Sequence, residues 1–282
     1  MLLMMAASFL FATGGLVLKF VNWNPLAING IRSFFGAAVL ALFLKASHHS
    51  LKINRTVFTG ALAYMGMTTL FTLANKMTTA ANAIVLQFTC PIWIIVISWI
   101  FFHKKPGSRE WIASALTLSG ITLFFIDSLG SGHIAGDLVA LVSGICYALL
   151  FMQNSLEDGD ALSSVFIGQV LSFIVLGGFV FLETDFSGPV LASVIWLGAM
   201  QVGMAYIFFS LGTALIDPLS ACLMTGLEPI LNPLMVSLFW HEYLSPVSLA
   251  GAAIVICSIV GYSLLDLCRP LPSSSALKTA EE

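Results

Sequence analysis

Charged residues are scarce in this 282-residue chain, since Asp, Glu, Lys and Arg make up 9% of it, whereas soluble globular proteins contain roughly 25%. So few charges cannot cover the surface of a water-soluble protein of this size, and 59% of the residues are hydrophobic. The net charge of -3 also excludes a nucleic-acid-binding protein, which needs a strongly basic surface. The composition therefore predicts a membrane protein whose outer surface faces lipid.

Motifs that support catalysis are also missing. The sequence contains neither a phosphate-binding GxxxxGK[ST] loop nor an HExxH zinc motif. Its five cysteines lie in or at the end of apolar runs without a CxxC pair, which is typical of small packing residues. We therefore expect no catalytic residue, no metal site and no cofactor, and predict that the protein is not an enzyme.

Ten apolar segments are each about long enough to cross a bilayer, for which a helix needs roughly 20 residues. They comprise residues 2–20, 25–44, 57–74, 79–101, 111–126, 136–153, 161–182, 190–212, 218–239 and 246–267. The loops between them are short and polar. The predicted fold is an all-α integral membrane protein with ten transmembrane helices.

The distribution of cations indicates the orientation. With the N-terminus in the cytoplasm, only Lys19 and Lys76 fall in outside segments. The cations in inside segments are Lys45, Lys52, Arg55, Lys104, Lys105, Arg109, Arg269 and Lys278. This positive-inside bias predicts that both termini are cytoplasmic and that the protein lies in the plasma (inner) membrane. The tail, residues 268–282, has no apolar face to bury and is predicted to be disordered.

An internal repeat is visible when the sequence is compared with itself. Residues 73–105 align with residues 211–243 without a gap, and Pro91 falls on Pro229. Each half would contain five spans, an odd number, so the second half must cross the membrane in the opposite sense. We therefore predict two inverted five-helix repeats, residues 1–127 and 134–267, an arrangement that recurs in secondary transporters.

Two stretches resemble the EamA-type members of the drug/metabolite transporter superfamily. Residues 8–42 resemble the opening of that family, with Arg32 in the second span. Residues 214–265 are similar to its best-marked motif, a Glu-Pro pair (Glu228 and Pro229) followed by a Glu just past the helix (Glu242). The resemblance implies ten helices in two inverted five-helix repeats, and transport, most often export, of small metabolites or amino acids.

The first half departs from the motif of that family. Cys90 replaces the Glu before Pro91, and Lys104 stands where the second Glu would be. A function that needs both copies of either acid is therefore not expected in this chain.

Arg32 and Glu228 are the ionisable residues that lie deep within predicted spans. Such groups cost roughly 2.5 to 3.5 kcal/mol on insertion scales and mark functional sites. Arg32 could bind substrate, or it could serve a structural role near the outer side by reaching toward water or helix ends. Glu228, near the midplane, could accept a proton, pair with a cationic group of the substrate, or cap the carbonyls freed by the adjacent proline.

Prolines interrupt the fourth predicted span of each half. Pro91, Pro229 and Pro233 lie inside apolar segments, where each removes a backbone hydrogen bond and predicts a kink or a break. The freed carbonyls must be satisfied by a neighbour or by a wet cavity. We therefore expect the fourth span of each half to line a central cavity.

Uncharged polar residues within the spans complete the set of candidates for substrate binding. They are Asn82, Gln87, Thr225, Asn232, Gln201 and Tyr206. The spacing of Thr225, Glu228 and Asn232 predicts that they share one helical face. Gln169 and Asn29 could extend this polar face or simply form interhelical hydrogen bonds.

These patterns predict a secondary-active transporter that moves a small organic solute by alternating access, around a midplane cavity lined by predicted spans two, four, seven and nine. We expect export, with proton coupling through Glu228 as one hypothesis. The alternatives are an uptake or exchange carrier of the same fold and a non-transporting membrane sensor or partner subunit. The expected partners are a small-molecule solute and the lipid bilayer, without nucleic acid, and both a monomer and a homodimer are compatible with the sequence.

Overall fold

The computed structural model describes residues 1–18, 20–78, 80–126, 129, 134–240 and 245–267. Secondary structure in these ranges is helical, without a strand. The disorder predicted for residues 268–282 and the motif residue Glu242 both lie outside the described residues.

Thirteen α-helices are present in the described part of the chain. They are α1 (Leu2–Leu18), α2 (Pro25–Ala46), α3 (Arg55–Met77), α4 (Ala80–Gln87), α5 (Cys90–Phe102), α6 (Ser108–Phe124), α7 (Ile134–Phe151), α8 (Ala161–Leu176), α9 (Gly188–Trp196), α10 (Ala205–Thr213), α11 (Pro218–Thr225), α12 (Glu228–Trp240) and α13 (Pro246–Leu267). A 3₁₀ helix, Gly177–Leu182, extends α8, and a π-helix, Leu197–Met204, joins α9 to α10. We refer to α1–α6 as the first half and to α7–α13 as the second half.

Polar side chains start several of these helices by satisfying free backbone N–H groups. The Asn24 side chain accepts a hydrogen bond from the backbone of Leu26, and Asp217 accepts bonds from Leu219 and Ser220. Proline follows both caps, at a position where its missing N–H costs nothing. The boundaries of α2 and α11 are therefore encoded locally.

The fourth predicted span of each half is two helices rather than one. α4 ends at Gln87 and α5 begins at Cys90, whereas α11 ends at Thr225 and α12 begins at Glu228. In the alignment of the internal repeat, the first and last residues of α4 and α5 fall on the first and last residues of α11 and α12. Since proline is tolerated in the first turn of a helix and not in its interior, each new helix starts directly before its proline. α12 continues past Pro233.

Seven helical segments of the described ranges are long and apolar enough to cross a membrane. They are Pro25–Ala46, Arg55–Met77, Asn82–Phe102, Ile134–Phe151, Ala161–Leu182, Gly188–Thr213 and Pro218–Phe239. Two shorter apolar helices, Leu2–Leu18 and Pro246–Tyr262, accompany them. Large apolar side chains such as Phe101 and Phe181 are exposed, and a surface of this kind is stable in lipid rather than in water.

The first helix of each half packs mainly against the other half. α1 contacts α10, α11 and α12, while α7 contacts α3, α4 and α5. Other contacts between the halves include those of α2 and α3 with α8, of α2 with the π-helix, of α5 with α11, and of α6 with α13. Neither half therefore forms its core alone, and the buried centre of the protein lies between them.

α6 and α13 approach each other closely at two glycines. A Cβ atom on Gly251 would lie 2.7 Å from the carbonyl oxygen of Gly120, which leaves no room for a side chain. Nearby, the hydroxyl groups of Thr117 and Ser258 share a hydrogen bond of 3.0 Å. Small residues at the contact and a hydroxyl bond beside it are typical of helix pairs packed within lipid.

We predict that Gly251→Ala destabilises the protein, because the new methyl group meets backbone atoms of α6 that cannot rotate away. Overpacking of this kind costs about 1–3 kcal/mol, and the purified protein in detergent should melt at a lower Tm. Gly261→Ala is the matched control on the same helix, since nothing lies within 4 Å of its Cβ position. Equal melting temperatures for the two variants would contradict this account of the helix contact.

Candidate functional site

A central cavity of about 90 Å³ lies between the two halves. α1, α2, α3 and α4 line it from the first half, and α7, the π-helix, α10 and α12 line it from the second. A buried water occupies roughly 10–15 Å³ by this measure, so the cavity has room for several waters. It is smaller than the roughly 300 Å³ of a ligand pocket, so this conformation is closed around its centre.

Arg32 brings a positive charge to the cavity from the second turn of α2. Its guanidinium donates two hydrogen bonds, of 3.1 and 2.9 Å, to Oδ1 of Asn29 and one of 3.4 Å to Oε1 of Gln201. Both acceptors are uncharged. Within the described residues no acidic group lies within ion-pair distance of Arg32, so its charge is oriented but not neutralised.

Glu228 brings a negative charge to the same cavity from the first residue of α12. Its side chain is half-buried, and no hydrogen bond from another described residue reaches the carboxylate. It interacts electrostatically with Arg32 without forming a direct ion pair. Among the described residues, no hydrogen bond links the Glu228 side chain to a backbone carbonyl, so the structure does not support the capping role considered above.

Three tyrosines form an aromatic layer beside these charges. The Tyr206 ring lies 5.0 Å from Tyr64 and 4.8 Å from Phe11, and the Tyr147 ring lies 4.6 Å from Phe151, measured between centroids. These tyrosine side chains are buried and line the cavity. Because Tyr147 and Tyr206 lie toward the C-terminal ends of their helical segments, the layer lies on the side of the cavity that we predict to face the cytoplasm.

A second cavity of about 340 Å³, the outer vestibule, adjoins the centre on the opposite side. It is formed by the end of α1, the segment with Trp23, the start of α2 and the end of α3, and it shares Arg32 and Phe71 with the central cavity. A pocket of only about 30 Å³, the inner pocket, lies among α5, α6 and α11, and it shares no lining residue with the centre. The bundle is therefore less tightly closed on the vestibule side.

Four of the predicted polar candidates line the cavity together with Glu228. They are Arg32, Gln87, Gln201 and Tyr206. Gln87 also donates a 3.3 Å hydrogen bond to the hydroxyl of Ser143, so it ties α4 to α7. These residues come from four separate elements, which only the tertiary fold brings together.

Three other candidates do not reach the cavity. Asn82 lies near Thr78 and Asp137 at the start of α7, with its amide 3.4 Å from the Asp137 carboxylate. Thr225 is fully buried and donates a 2.7 Å bond to the carbonyl of Cys222 in its own helix. Asn232 packs against Gly15 of α1. The sequence predicts that Thr225, Glu228 and Asn232 share one face of a continuous helix, but α11 ends at Thr225 and α12 begins at Glu228, and only Glu228 of the three lines the cavity.

The predicted set of cavity-lining spans also needs correction. Predicted span seven, which corresponds to α8, contributes no lining residue, whereas α1, α3 and α7 do. Gln169 of α8 instead donates a 3.2 Å bond to the carbonyl of Val202 in the π-helix. Gln169 therefore ties α8 to the π-helix.

Sequence reasoning missed Tyr64, Thr68 and Tyr147 as lining residues. One signal was available, because tyrosine in membrane proteins is enriched at the interfaces, whereas Tyr64 and Tyr147 lie well inside predicted spans. A hydroxyl at that depth needs a polar neighbour. Mid-span tyrosines could therefore have been added to the candidate list.

Once the cavity widens, these groups could bind a solute that carries both charges. The Arg32 guanidinium, whose partners are neutral, can bind a carboxylate group of the solute. The unpaired Glu228 carboxylate can bind an ammonium group or a proton, and the tyrosine rings can pack against a cation. No group of three or more His, Cys, Asp or Glu side chains in the described ranges is placed to hold a metal ion.

A solved crystal structure of another protein superimposes on this fold with a TM-score of 0.79, covering 94% of this chain and 96% of that one at 16% sequence identity. At this identity the match shows a shared fold. The sequence profile of the EamA-like transporter family matches residues 1–126 and again residues 134–264.

Two bacterial transporters are similar in sequence to most of this chain. The uncharacterized transporter YwfM of Bacillus subtilis (strain 168) is 26% identical over 272 residues, 92% of each chain. The threonine/homoserine exporter RhtA of Escherichia coli (strain K12) is 22% identical over 209 residues, 71% of this chain and 68% of that one. The charged central cavity, the apolar helices and the two profile matches agree: the chain is an integral membrane protein that belongs to the EamA-like transporter family, whose members are transporters and not enzymes.

Proposed function

We propose that this protein is a secondary-active carrier that exports small zwitterionic solutes, with amino acids as the substrate class, by alternating access. The observation that carries the proposal is the presence of Arg32 and Glu228 in one cavity without a direct ion pair. A zwitterion placed between them would neutralise both charges at once. The similarity to a threonine/homoserine exporter supports the same substrate class.

The proposed architecture has ten crossings in two inverted five-helix repeats, residues 1–127 and 134–267. Support comes from the boundaries of α4 and α5, which recur at the equivalent repeat positions in α11 and α12. The two matches to the family profile fall on the same halves. The exchanged positions of α1 and α7 also suit a pseudo-twofold relation.

The proposed orientation places both termini in the cytoplasm of a plasma (inner) membrane protein. Segments predicted to be outside contact each other, since Trp23 Nε1 lies 2.7 Å from the carbonyl of Asp185. Segments predicted to be inside also meet, since the His49 ring nitrogen lies 2.8 Å from the Asp160 carboxylate. The excess of cations over all the segments predicted to be inside supports a cytoplasmic location for that side.

Transport would proceed by rocking the halves around the central cavity. In the conformation described here the aromatic layer lies on the inner side and the vestibule adjoins the outer side. Opening the inner side requires separation of α5 and α11, which form the inner pocket with α6. Inverted repeats make the two open states structurally equivalent, which is the basis of alternating access.

Glu228 is the proposed coupling residue. Its carboxylate can hold either a proton or the ammonium group of the solute, but not both. A proton that enters from outside would displace the solute, and the solute leaving the cell would thus be exchanged for a proton. The structure offers no second carboxylate among the described lining residues of the central cavity.

Counterflow in proteoliposomes tests the proposed substrate class. Vesicles loaded with unlabelled L-threonine should accumulate labelled L-threonine faster than empty vesicles, and Arg32→Gln should slow this roughly tenfold or more, because a charged hydrogen bond contributes about 1.5–3 kcal/mol. Lys76→Gln is the control, since it removes a cation outside the cavity. Wild-type counterflow equal to that of protein-free vesicles, across a panel of amino acids, would refute this substrate class and favour the sensor hypothesis.

Glu228→Gln tests proton coupling, because the amide stays neutral at every pH. We expect counterflow to slow, because the partner of the solute's ammonium group is also lost. The remaining flux should lose its pH dependence, and an imposed proton gradient should no longer drive uphill movement of solute. Asp137→Asn, which alters a carboxylate outside the cavity, should leave both properties unchanged. Normal flux with unchanged pH dependence in Glu228→Gln would exclude Glu228 as the coupling residue.

Gly107 and Ser245 occupy matching positions of the two halves, directly before α6 and α13, and they test the inverted arrangement. In a variant whose five native cysteines are replaced by alanine, Ser245→Cys should react with a membrane-impermeant maleimide applied to intact cells, whereas Gly107→Cys should react only after permeabilisation. Labelling of both positions from the same side would rule out inverted repeats.

A further inference from the structure

Two buried cysteines, one from each half, lie in contact close to the breaks in the fourth predicted spans. Cys90 is the first residue of α5, Cys222 lies in the last turns of α11, and their Sγ atoms are 2.6 Å apart. Cys90 is fully buried and Cys222 is 1% exposed. Sequence spacing predicted only small packing residues here, because the two cysteines belong to different halves of the chain and no CxxC pair exists.

The pair lies between the central cavity and the inner pocket. Tyr147, which lines the cavity beside Glu228, also lies near both thiols. On the other side, Ile94 of α5 and Leu219 of α11, each within four residues of its cysteine, line the inner pocket. The contact between the thiols therefore lies between α5 of the first half and α11 of the second, the two helices that must separate for the inner side to open.

The other described cysteines are placed differently. Cys146 packs beside Gly66 of α3, and Cys257 is exposed on α13 among apolar side chains that face outward. Among the described residues, neither of them forms a hydrogen bond with another thiol. Proximity of two thiols is therefore a property of Cys90 and Cys222, not of cysteine in this bundle generally.

We propose that Cys90 and Cys222 are an oxidative modification site, and that a disulfide between them holds the inner side of the transporter closed. The second part rests on the proposed alternating-access function. The Sγ separation is only about 0.5 Å longer than a disulfide bond of roughly 2.05 Å. The halves therefore need little displacement to be linked in this conformation, whereas α5 and α11 could not separate once linked.

The oxidant is a small hydroperoxide such as hydrogen peroxide, an uncharged molecule that can enter the hydrated cavity beside Tyr147. The sulfur of one cysteine attacks a peroxide oxygen and the O–O bond breaks; the leaving hydroxide takes the thiol proton, which gives a sulfenic acid and water. The second thiol then attacks the sulfenic sulfur, an S–S bond forms, and another water leaves. Two thiols lose two electrons and two protons in total, and the peroxide is reduced to two waters.

The first experiment measures the modification directly in the full-length protein in lipid nanodiscs. After hydrogen peroxide treatment, denaturation and alkylation with N-ethylmaleimide, intact mass should show two fewer alkylated thiols than the five of the reduced chain. A non-reduced digest should contain the peptide that links Cys90 to Cys222. Cys90→Ser and Cys222→Ser should each abolish the linked peptide, whereas Cys146→Ala and Cys257→Ala should not.

The second experiment measures the lock by counterflow in proteoliposomes. Peroxide should slow wild-type counterflow about tenfold or more, dithiothreitol should restore it, and Cys90→Ser should resist the oxidant, as expected when a conformational step is blocked. Absence of the linked peptide would overturn the modification site. A linked peptide with unchanged flux would overturn the lock, and absence of flux even in the reduced protein would refute the transport proposal while the mass measurement still tests the site.

Discussion

Two opposite charges held apart inside an apolar helix bundle are the constraint on which the rest of this structure depends. A charged side chain at the centre of a bilayer costs roughly 2.5–3.5 kcal/mol on insertion scales. Arg32 and Glu228 are tolerated because they line a small cavity with room for water and do not face lipid, and because Asn29 and Gln201 orient the guanidinium. A bundle that packed its centre completely would leave both charges without water or a partner.

The interrupted helices follow from the same constraint. A continuous helix through Pro229 would clash with the proline ring and leave a carbonyl unsatisfied, whereas ending α11 at Thr225 places Glu228 in the first turn of α12. A carboxylate at a helix N-terminus is favoured by the free N–H groups and the helix dipole. The break therefore positions the acidic group of the cavity, and in the first half the equivalent position holds Cys90.

Close packing elsewhere keeps this polar centre small. Gly120 and Gly251 let α6 and α13 touch along their backbones, and the exchange of α1 and α7 between halves seals the long sides of the cavity. The contacts of α5 with α11 are of another kind, since they join short helix pieces next to the breaks. In a carrier that rocks its halves, rigid contacts such as α6 with α13 suit the pivot, and contacts beside the breaks suit the moving gate.

The sequence by itself determined the class of protein, since 9% charged residues allow no other surface than one facing lipid. It also determined the family, through the repeat and the Glu-Pro motif. Polar groups within apolar spans are costly unless they share a wet site, and on this basis the sequence singled out Arg32, Glu228, Gln87, Gln201 and Tyr206. Only the tertiary structure decided that Asn82, Thr225 and Asn232 lie outside the cavity, that α8 does not line it, and that Tyr64 and Tyr147 do. The physical reason is that helical periodicity predicts a shared face only while the helix is continuous, and a turn interrupts the helix before Glu228. The approach of Cys90 to Cys222 depends on the packing of two helices from different halves, which no local pattern in either half encodes.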